Sequence, residues 1–226
     1  MYLIRGIKNI DLFLSRYSDV DLIATIGNFD GLHLGHQHII NNMDKDAQDN
    51  NWKKLVIFTE PHAKEFFAES LGTDEEKPPR IFPWPEKVRK LKELGVEFSF
   101  FLSFNNQLRN MTPETFIDEV LSRLSIKKMV IGDDFRFGAN RKGDFNFLKD
   151  WGNRNNVRIE KTETFTLNDE RVSSSRIRNC LTSDDFESAK ELLGRPYKFH
   201  GKVVYGQQLG RTPVSYTHLT LPTNLS

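Results

Sequence analysis

Apolar positions along the chain fall into two alternating patterns. Short runs rich in β-branched and aromatic residues, bounded by glycine, proline or polar turn residues, predict buried strands. These runs are 21–27, 53–60, 96–104 and 126–132. The segments between them repeat apolar residues every three or four positions, as helices with one buried face do. Strands that alternate with helices are typical of a parallel sheet covered on both faces, so the sequence predicts an α/β fold.

Capping residues mark the ends of several predicted helices. One helix is predicted over 34–50, and another begins at Pro85 and ends at Gly95. Thr112 is predicted to cap a third helix, which has Pro113 as its first residue.

The pattern changes beyond residue 182. A short helix is predicted to stop at Gly194, and residues 197–206 then alternate like an exposed antiparallel strand. We interpret this change as the start of a second structural unit.

Composition limits the classes of function that are compatible with the chain. The 226 residues are 38% hydrophobic with a formal net charge of +1, which allows one sizeable core and gives no support for nucleic-acid binding. Charges interrupt the N-terminal residues, unlike a signal peptide, and no apolar run approaches the roughly 18 residues of a membrane span. The single cysteine, Cys180, excludes an internal disulfide and is interpreted as a buried helix residue. We expect a cytoplasmic protein without nucleic-acid or membrane partners; oligomeric state is not indicated.

The stretch TIGNFDGLHLGHQHIINN joins the first predicted strand to a helix. Ligands of open α/β sheets bind beyond the carboxyl ends of the strands, and the N–H groups and dipole of a helix N-terminus attract phosphate. Gly27, Gly31 and Gly35 allow tight turns and close backbone approach. His33 and His36 would then donate hydrogen bonds to phosphate oxygens, and a protonated imidazole would stabilise charge on a leaving pyrophosphate.

Two other interpretations of these histidines stay open. Both residues could be surface or capping histidines beside a turn. His33, His36 and His38 could also hold a metal, but no cysteine or carboxylate with ligand spacing accompanies them. We therefore assign no metal ligands and read His38 as a helix-surface residue.

A second motif, GDDFRFG, follows the fourth predicted strand. Asp133 and Asp134 beside the aromatic Phe135 and Phe137 suit a flat ligand with polar edges. The alternative is an ordinary turn with two aromatic rings in the core.

A third motif, RVSSSRIRNCL, predicts a strongly capped helix start. Ser173 or Ser174 would be the N-cap, and Arg176 and Arg178 add positive charge. A second helix N-terminus aimed at the same triphosphate would complete a clamp, whereas the alternative is a surface helix with a good cap.

These strings resemble the nucleotidyltransferase superfamily and, within it, the bacterial bifunctional riboflavin kinase / FAD synthetases. IGNFDGLHLGH resembles the H-x-G-H element that holds ATP phosphates, and GDDFRFG resembles the family's strand-end loop. RVSSSRIR resembles its S-S-T-x-x-R element, with Ser175 in place of the usual threonine. YLIRGIKNI resembles the opening of the family, and VIFTEPHAKEFF resembles a flavin-pocket strand with Ala63 where proline is usual. The resemblance covers residues 1 to about 211 and implies a Rossmann-like parallel sheet with helices on both faces.

The resemblance also implies roles for individual residues. Those implied to be catalytic are His33, His36, Arg171 and Ser174. Those implied to bind ATP are Gly27, Asn28, Phe29, Asp30, Gly31, Gly35, Ser173, Ser175 and Arg178. Those implied to bind the flavin are Phe58, Asp134, Phe135 and Phe137, although Phe58 could equally be a core aromatic.

The reaction implied is adenylyl transfer, in which ATP and FMN give FAD and pyrophosphate. The FMN phosphate is already anionic near neutral pH, so it attacks the α-phosphorus without a general base. The protein would then orient the reactants and neutralise charge, which Mg²⁺ arriving with ATP would share.

The resemblance divides the chain into three parts. Residues 1–182 would form the FMN adenylyltransferase domain, and 183–212 a linker helix and the first strand of a truncated riboflavin kinase domain. We expect only an incomplete β-barrel fragment there, and no riboflavin kinase activity, since one strand cannot close a barrel. Residues 213–226 resemble nothing in the family; a sequencing, assembly or vector-derived tail is the favoured explanation, and a natural short C-terminus the alternative.

Two alternative functions stay open. Another H-x-G-H nucleotidyltransferase, acting on pantetheine phosphate, a nicotinate nucleotide or a lipid head group, would share the first motif but not the other two together. A nucleotide- or flavin-binding module would bind these ligands without releasing pyrophosphate.

Overall fold

The computed structural model describes residues 1–73 and 77–198. Its strands are β1 (Tyr2–Arg5), β2 (Leu22–Gly27), β3 (Lys53–Glu60), β4 (Phe98–Ser103), β5 (Ile126–Ile131), β6 (Arg158–Lys161), β7 (Thr166–Leu167) and β8 (Glu170–Arg171). Its α-helices are α1 (Ile10–Tyr17), α2 (Leu34–Asn41), α3 (Asp44–Asn50), α4 (Ala63–Leu71), α5 (Trp84–Glu93), α6 (Asn106–Asn110), α7 (Pro113–Phe116), α8 (Phe145–Asn155), α9 (Ser174–Thr182) and α10 (Phe186–Leu193). Short 3₁₀ turns occupy Ile7–Asn9, Asp30–Leu32 and Ala139–Arg141, and a π-helical stretch, Ile117–Leu121, extends α7.

The first six strands form one parallel sheet in the order β1-β4-β3-β2-β5-β6, which confirms the predicted α/β fold. The short strands β7 and β8 form a separate antiparallel pair. From β2 the chain moves outward through β3 and β4, and it then returns to place β5 on the other side of β2. This reversal is the topological switch point of a doubly wound sheet, where ligands bind beyond the carboxyl ends of the strands.

Alternate residues of the central strands enter separate cores on the two faces of the sheet. Leu55 and Ile57 of β3 belong to a cluster shared with α1, α7 and α8. Val56 and Phe58, their neighbours in sequence, belong to a cluster shared with α2 and α5. Helices therefore cover both faces, which explains why β3 is an almost continuous apolar run rather than an alternating one.

The prediction of a single helix over 34–50 is wrong in one respect, because the structure divides this segment into α2 and α3. The backbone N–H of Met43 donates to the carbonyl of Ile40, three residues back, at 3.1 Å, and this tightens the chain into a turn. The turn accompanies complete burial of the Met43 side chain beside Ile23 and Val130.

The helix predicted to begin at Pro85 begins one residue earlier, at Trp84, and other predicted boundaries agree with the structure. β3 spans 53–60 as predicted, and the Thr112 hydroxyl accepts the N–H of Thr115 at 3.2 Å as the cap of α7. α10 ends before Gly194, whose φ is 69°. The strand predicted over 197–206 and the tail at 213–226 fall, from residue 199 onward, outside the described residues.

Within residues 1–73 and 77–198, no helix combines the length and apolar character that crossing a membrane requires.

Gly138 and Gly6 allow a matched test of backbone strain and side-chain clash. Gly138 has φ 71° and ψ 173°, and Gly6 has φ 75° and ψ 159°, a region that residues with a Cβ rarely enter. A Cβ on Gly138 would lie 2.8 Å from the backbone nitrogen of Pro113, whereas one on Gly6 would meet nothing within 4 Å. We expect Gly6→Ala to lower the free energy of unfolding by about 1–3 kcal/mol and Gly138→Ala to lower it further, measured by urea denaturation. Equal losses would show that contact with Pro113 adds nothing.

Candidate active site

The first two motifs follow the strands on either side of the switch point. β2 ends at Gly27 and β5 ends at Ile131, and the two strands pair directly. Because neighbouring parallel strands end at the same edge of the sheet, the loop after β2 and the loop after β5 emerge side by side. We call residues 28–33 the histidine loop.

Left-handed backbone conformations shape the histidine loop. Phe29 has φ 51°, Gly31 has φ 77° and Leu32 has φ 40°. Such angles cost a residue with a side chain roughly 1–2 kcal/mol, so contacts elsewhere must stabilise the loop. The Phe29 and Leu32 side chains are buried in the cluster formed with α2 and α5. Glycine is required between them, because a Cβ on Gly31 would lie 2.9 Å from Cδ1 of Ile81.

His33 caps α2 and stacks on His36. The Nδ1 atom of His33 accepts the backbone N–H of His36 at 3.3 Å, and the ring centroids lie 3.7 Å apart at an interplanar angle of 19°. A Cβ on Gly35 would lie 3.2 Å from the His33 ring, so a residue with a side chain at position 35 would crowd the ring. The buried Nδ1 of His36 has no hydrogen-bond partner among the described residues. Since Nδ1 of His33 accepts, a neutral His33 carries its proton on Nε2.

The surroundings favour neutral imidazoles. The pKa of His33 is lowered to about 4, chiefly by burial, and the arginine charges that act in the same direction are those of Arg171, Arg195 and Arg178. Burial, followed by the charges of His33 and Lys87, lowers the pKa of His36 well below 6.5. This environment therefore favours the neutral form of both rings at pH 7, against the protonated imidazole expected from the sequence.

The start of α9 packs directly against the histidine loop. Ser173, rather than Ser174, is the N-cap, and it accepts the backbone N–H three residues further on at 3.3 Å. The Ser174 hydroxyl instead donates to the carbonyl of Asp30 at 2.9 Å. The carbonyl oxygen of Val172 would lie 3.5 Å from a Cβ on Gly35. The two helix N-termini and the two imidazoles therefore share one corner of the molecule.

Asp30 links three segments at this corner. Its carboxylate pairs with Arg178 at 2.5 Å and accepts the backbone N–H groups of Ile81 and Phe82 at 3.2 and 3.4 Å. Arg178 also donates through Nε to the carbonyl of Pro79 at 2.7 Å. Asp30 and Arg178 are both predicted to contact ATP, but the structure pairs them with each other. Their observed contacts fix the histidine loop against α9.

Arg171 connects the histidines to the loop after β5. Its Nη2 atom lies 2.8 Å from Asp134 and 3.3 Å from Asp133, and its charge contributes to the lowered pKa of His33. A hydrogen bond from the Thr164 hydroxyl is the largest cause of the lowered pKa of Asp133. The Arg171 side chain remains 48% exposed, so it is the accessible arginine of this corner.

Ser175 and Arg176 lie just inside α9. Ser175 is exposed, and Arg176 pairs with Glu170 of β8 at 2.6 Å. Within the described part of the chain, no hydrogen bond or ion pair joins either side chain to the histidine loop, and the ATP-binding role predicted for Ser175 stays a prediction.

A small cleft opens beside the histidine loop. The residues that line it are Asn28, Asp30, Thr59, Glu60, His62, Glu65, Arg80, Phe82 and Lys87. Asn28 is fixed at its mouth by the Thr59 hydroxyl at 2.9 Å and by Nε2 of His62 at 3.0 Å. Burial is the largest cause of the lowered pKa of His62.

The charged wall of this cleft is not among the residues predicted from sequence. Glu60 pairs with Lys87 at 3.1 Å and with Arg80 at 2.8 Å, and Arg80 also binds Glu65 at 2.6 Å. One signal was available, because Lys87 precedes the buried Leu91 by four residues and therefore shares its helix face. The carboxylates of other elements that pair with Lys87 and Arg80 cannot be identified from such a local pattern.

The aromatic residues predicted to bind flavin have different surroundings. The Phe58 ring is completely buried against Phe101 with Nζ of Lys87 4.9 Å above its centroid, which favours the core-aromatic alternative, and its flavin role stays a prediction. Phe135 and Phe137 stack at 5.6 Å, and Phe137 is buried while Phe135 is partly exposed. Of these rings, Phe135 is the one that offers a face near Asp134 and the carboxyl end of β5.

Comparison with known proteins gives one consistent family. A family model described as FAD synthetase matches residues 16–176. The bifunctional riboflavin kinase/FMN adenylyltransferase of Escherichia coli (strain K12) is 38% identical over 213 residues, which cover 94% of this chain and 65% of the relative. The Pseudomonas fluorescens protein of the same name is 37% identical over 223 residues, which cover 97% of this chain and 68% of the relative. The chain thus spans 65% of the length of the first of these relatives.

A solved structure supports the fold. The crystal structure of a macrolide-efflux protein from Streptococcus pneumoniae superposes with a TM-score of 0.71 at 24% identity, covering 87% of this chain and 63% of the other. Similarity at this level of identity concerns the architecture alone.

Asp30→Asn tests the link between the histidine loop and α9. The amide keeps the side-chain shape but removes the charge that Arg178 pairs with at 2.5 Å. Removing one partner of a buried pair costs about 3–5 kcal/mol, and we expect a loss of that order in the free energy of unfolding by urea. The control is Arg158→Gln, which breaks an exposed pair with Glu160 at 3.2 Å and should cost less than about 1 kcal/mol. Similar losses in both variants would contradict the structural importance of Asp30.

The neutral state of His33 should make folding stability depend on pH. Its pKa is about 4 in the folded protein against 6.5 as the ordinary value, so protons bind preferentially to the unfolded chain between these limits. The stabilisation is complete above pH 6.5, falls as the pH drops toward 4 and levels off below it, a loss of roughly 3 kcal/mol. We expect His33→Asn to remove this component, measured as the difference between wild-type and variant unfolding curves at several pH values. A difference that stays constant from pH 7.5 to 4 would rule it out.

Proposed function

The chain belongs to the FAD synthetase family, and from that membership we propose that it transfers AMP from ATP to FMN, giving FAD and pyrophosphate. The observation that carries the proposal is the meeting of the N-termini of α2 and α9 at the stacked histidine pair. This corner lies at the switch point of the sheet, where ligands of doubly wound folds bind.

The triphosphate would bind where the two helices begin. Backbone N–H groups of the first turns of α2 and α9 would donate to phosphate oxygens, supported by both helix dipoles. His33 would add Nε2–H as a neutral donor, because its Nδ1 already accepts a backbone N–H at 3.3 Å. Donors placed before the reaction starts stabilise charge on the leaving pyrophosphate without rearrangement.

Arg171 would supply the mobile positive charge of the site. Arg178 is committed to Asp30, whereas the half-exposed Arg171 contacts two carboxylates at 2.8 and 3.3 Å. Exchange of those carboxylates for a phosphate would bring its guanidinium onto the triphosphate, where bidentate contacts are favourable.

Mg²⁺ enters the proposal as part of the substrate MgATP. It is usually held by substrate phosphates with one or two carboxylates, and it neutralises phosphate charge. Among residues 1–73 and 77–198, no three His, Cys, Asp or Glu side chains are grouped to hold a metal by themselves. The protein's own task is then to orient the FMN phosphate in line with the α-phosphorus.

The flavin is proposed to dock at the loop after β5. The partly exposed ring of Phe135 stacks on Phe137 at 5.6 Å, which gives a rigid aromatic platform beside Asp134. We do not assign Phe58 to this platform because its ring is buried.

The proposal concerns adenylyl transfer. Riboflavin kinase forms part of the relatives' names, and this chain spans 65% of the Escherichia coli protein. The expectation that this chain lacks kinase activity stays a prediction, because residues 199–226 lie outside the described part of the structure.

His36→Ala provides the test of both the reaction and the site. The purified chain is incubated with FMN, ATP and Mg²⁺, and FAD and pyrophosphate are quantified after chromatography. We expect the wild type to form both products and His36→Ala to lower kcat about 100-fold, the usual loss for one donor to a developing negative charge. FMN affinity, measured by flavin fluorescence, should change far less than kcat.

His38→Ala is the matched control, because His38 lies on the same helix but packs near Phe165, with ring centroids 5.4 Å apart. It should retain wild-type turnover. Equal turnover in His36→Ala and wild type would refute the role of His36, and FMN binding without pyrophosphate release would favour a binding module.

A further inference from the structure

Arg195, beyond the end of α10, reaches back to the histidine loop. Its Nη2 atom donates to the carbonyl of Gly31 at 2.7 Å, and its Nη1 atom donates to the carbonyls of Leu32 and Leu193 at 3.0 and 2.9 Å. Gln37 of α2 repeats part of this pattern, since Nε2 donates to the same Leu32 and Leu193 carbonyls at 2.8 and 2.9 Å. The end of α10 is therefore fastened to the loop by side-chain donors.

Three consecutive carbonyls of the histidine loop are held in this way. The Ser174 hydroxyl holds that of Asp30 at 2.9 Å, and Arg195 holds those of Gly31 and Leu32. The peptide units of this loop are planar and trans, so a fixed C=O also fixes the N–H of the following residue. The directions of the N–H groups of residues 31, 32 and 33 are thus set by Ser174 and Arg195 together. The N–H of Leu32 is used within the loop, since it donates to the carbonyl of Phe29 at 3.4 Å.

The backbone of the loop explains why such an external constraint is needed. Gly31 and Leu32 both have positive φ, and Leu32 adopts this region only when its surroundings impose it. Arg195, which is 164 residues further along the sequence than Gly31, constrains this backbone through its hydrogen bonds to the loop. Its guanidinium lies over the Phe82 ring at 5.4 Å, which fixes the fork in place.

Charge adds to this geometry. Burial lowers the pKa of Arg195, and the carboxylates of Glu93 and Glu86 oppose that shift. An arginine stays protonated in proteins, so a positive charge is retained close behind the loop. That charge is among the causes of the lowered pKa of His33.

We propose that Arg195 is a positioning residue for adenylyl transfer, which fixes the peptide planes of the histidine loop and thereby the placement of His33 and the start of α2 for the phosphates. The reaction part of this inference rests on the proposed function. Arg195 itself contacts carbonyl oxygens of the loop and would not touch the substrate.

Steady-state kinetics on the full chain test the proposal. Arg195→Gln should lower kcat at least about 10-fold with KM for FMN nearly unchanged, because a displaced donor weakens transition-state contacts most. Arg195→Lys should recover part of this loss, since it keeps the charge but not the fork that spans three carbonyls. Arg158→Gln, which removes an equal charge from an exposed position, should match the wild type.

Two measurements without turnover separate this inference from the proposed function. Amide hydrogen exchange of residues 29–37 should accelerate in Arg195→Gln, and calorimetry should show weaker binding of pyrophosphate. If the wild type makes no FAD but both changes occur, the proposed reaction fails and the positioning of the loop is upheld. Gln37→Met removes a donor to the same Leu32 and Leu193 carbonyls with little change in side-chain volume, and it should also accelerate amide exchange. Agreement between the two variants would show that the effect does not come from misfolding of the arginine variant.

Wild-type exchange rates in Arg195→Gln would overturn the proposal. So would full activity of Arg195→Lys, because charge alone would then account for the effect.

Discussion

The ion pair between the buried Asp30 and the partly exposed Arg178 is the contact on which the arrangement of the site depends. It joins a loop after the first central strand to a helix almost 150 positions later in the chain, at 2.5 Å. The same carboxylate also accepts two backbone N–H groups from the segment before α5, so three distant segments converge on one side chain. A carboxylate that satisfies several donors in a confined space is specific for one geometry, since each alternative leaves a buried charge without a partner.

The loop that this carboxylate anchors has a conformation it would not adopt alone. Phe29 and Leu32 have positive φ, and their side chains are buried so that burial of apolar surface offsets the strain. Hydrogen bonds to the loop carbonyls come from side chains of α2, α9 and the segment after α10. These hydrogen bonds fix the orientation of the loop's peptide units, a form of preorganisation that the proposed phosphate binding would require.

Electrostatics at this corner combine neutral imidazoles with positive arginines. Burial and the surrounding positive charges hold the pKa of both histidines below 6.5, so the rings present hydrogen-bond donors rather than charges. The arginines and the helix dipoles supply the positive potential instead. This arrangement suits an anionic nucleophile and an anionic leaving group, because the positive potential that attracts both phosphates does not depend on the protonation of a histidine. The nearby cleft is different in character, since its cations at Arg80 and Lys87 are already paired with carboxylates.

The sequence by itself determined the layers of the fold and indicated the corner of the sheet where the candidate site lies. Apolar runs ending in glycine specify strands, Thr112 and Pro113 specify a helix start, and Gly35 beside His33 indicates the corner where phosphate binding is proposed, because these signals are local. Only the tertiary structure decided which polar groups pair: that Asp30 binds Arg178, that Phe58 is buried, that Lys87 lines a cleft and that Arg195 holds the loop. The physical reason is that these side chains pair between elements far apart in sequence. The free energy of burying a charge depends on such distant neighbours, which a local sequence pattern cannot identify.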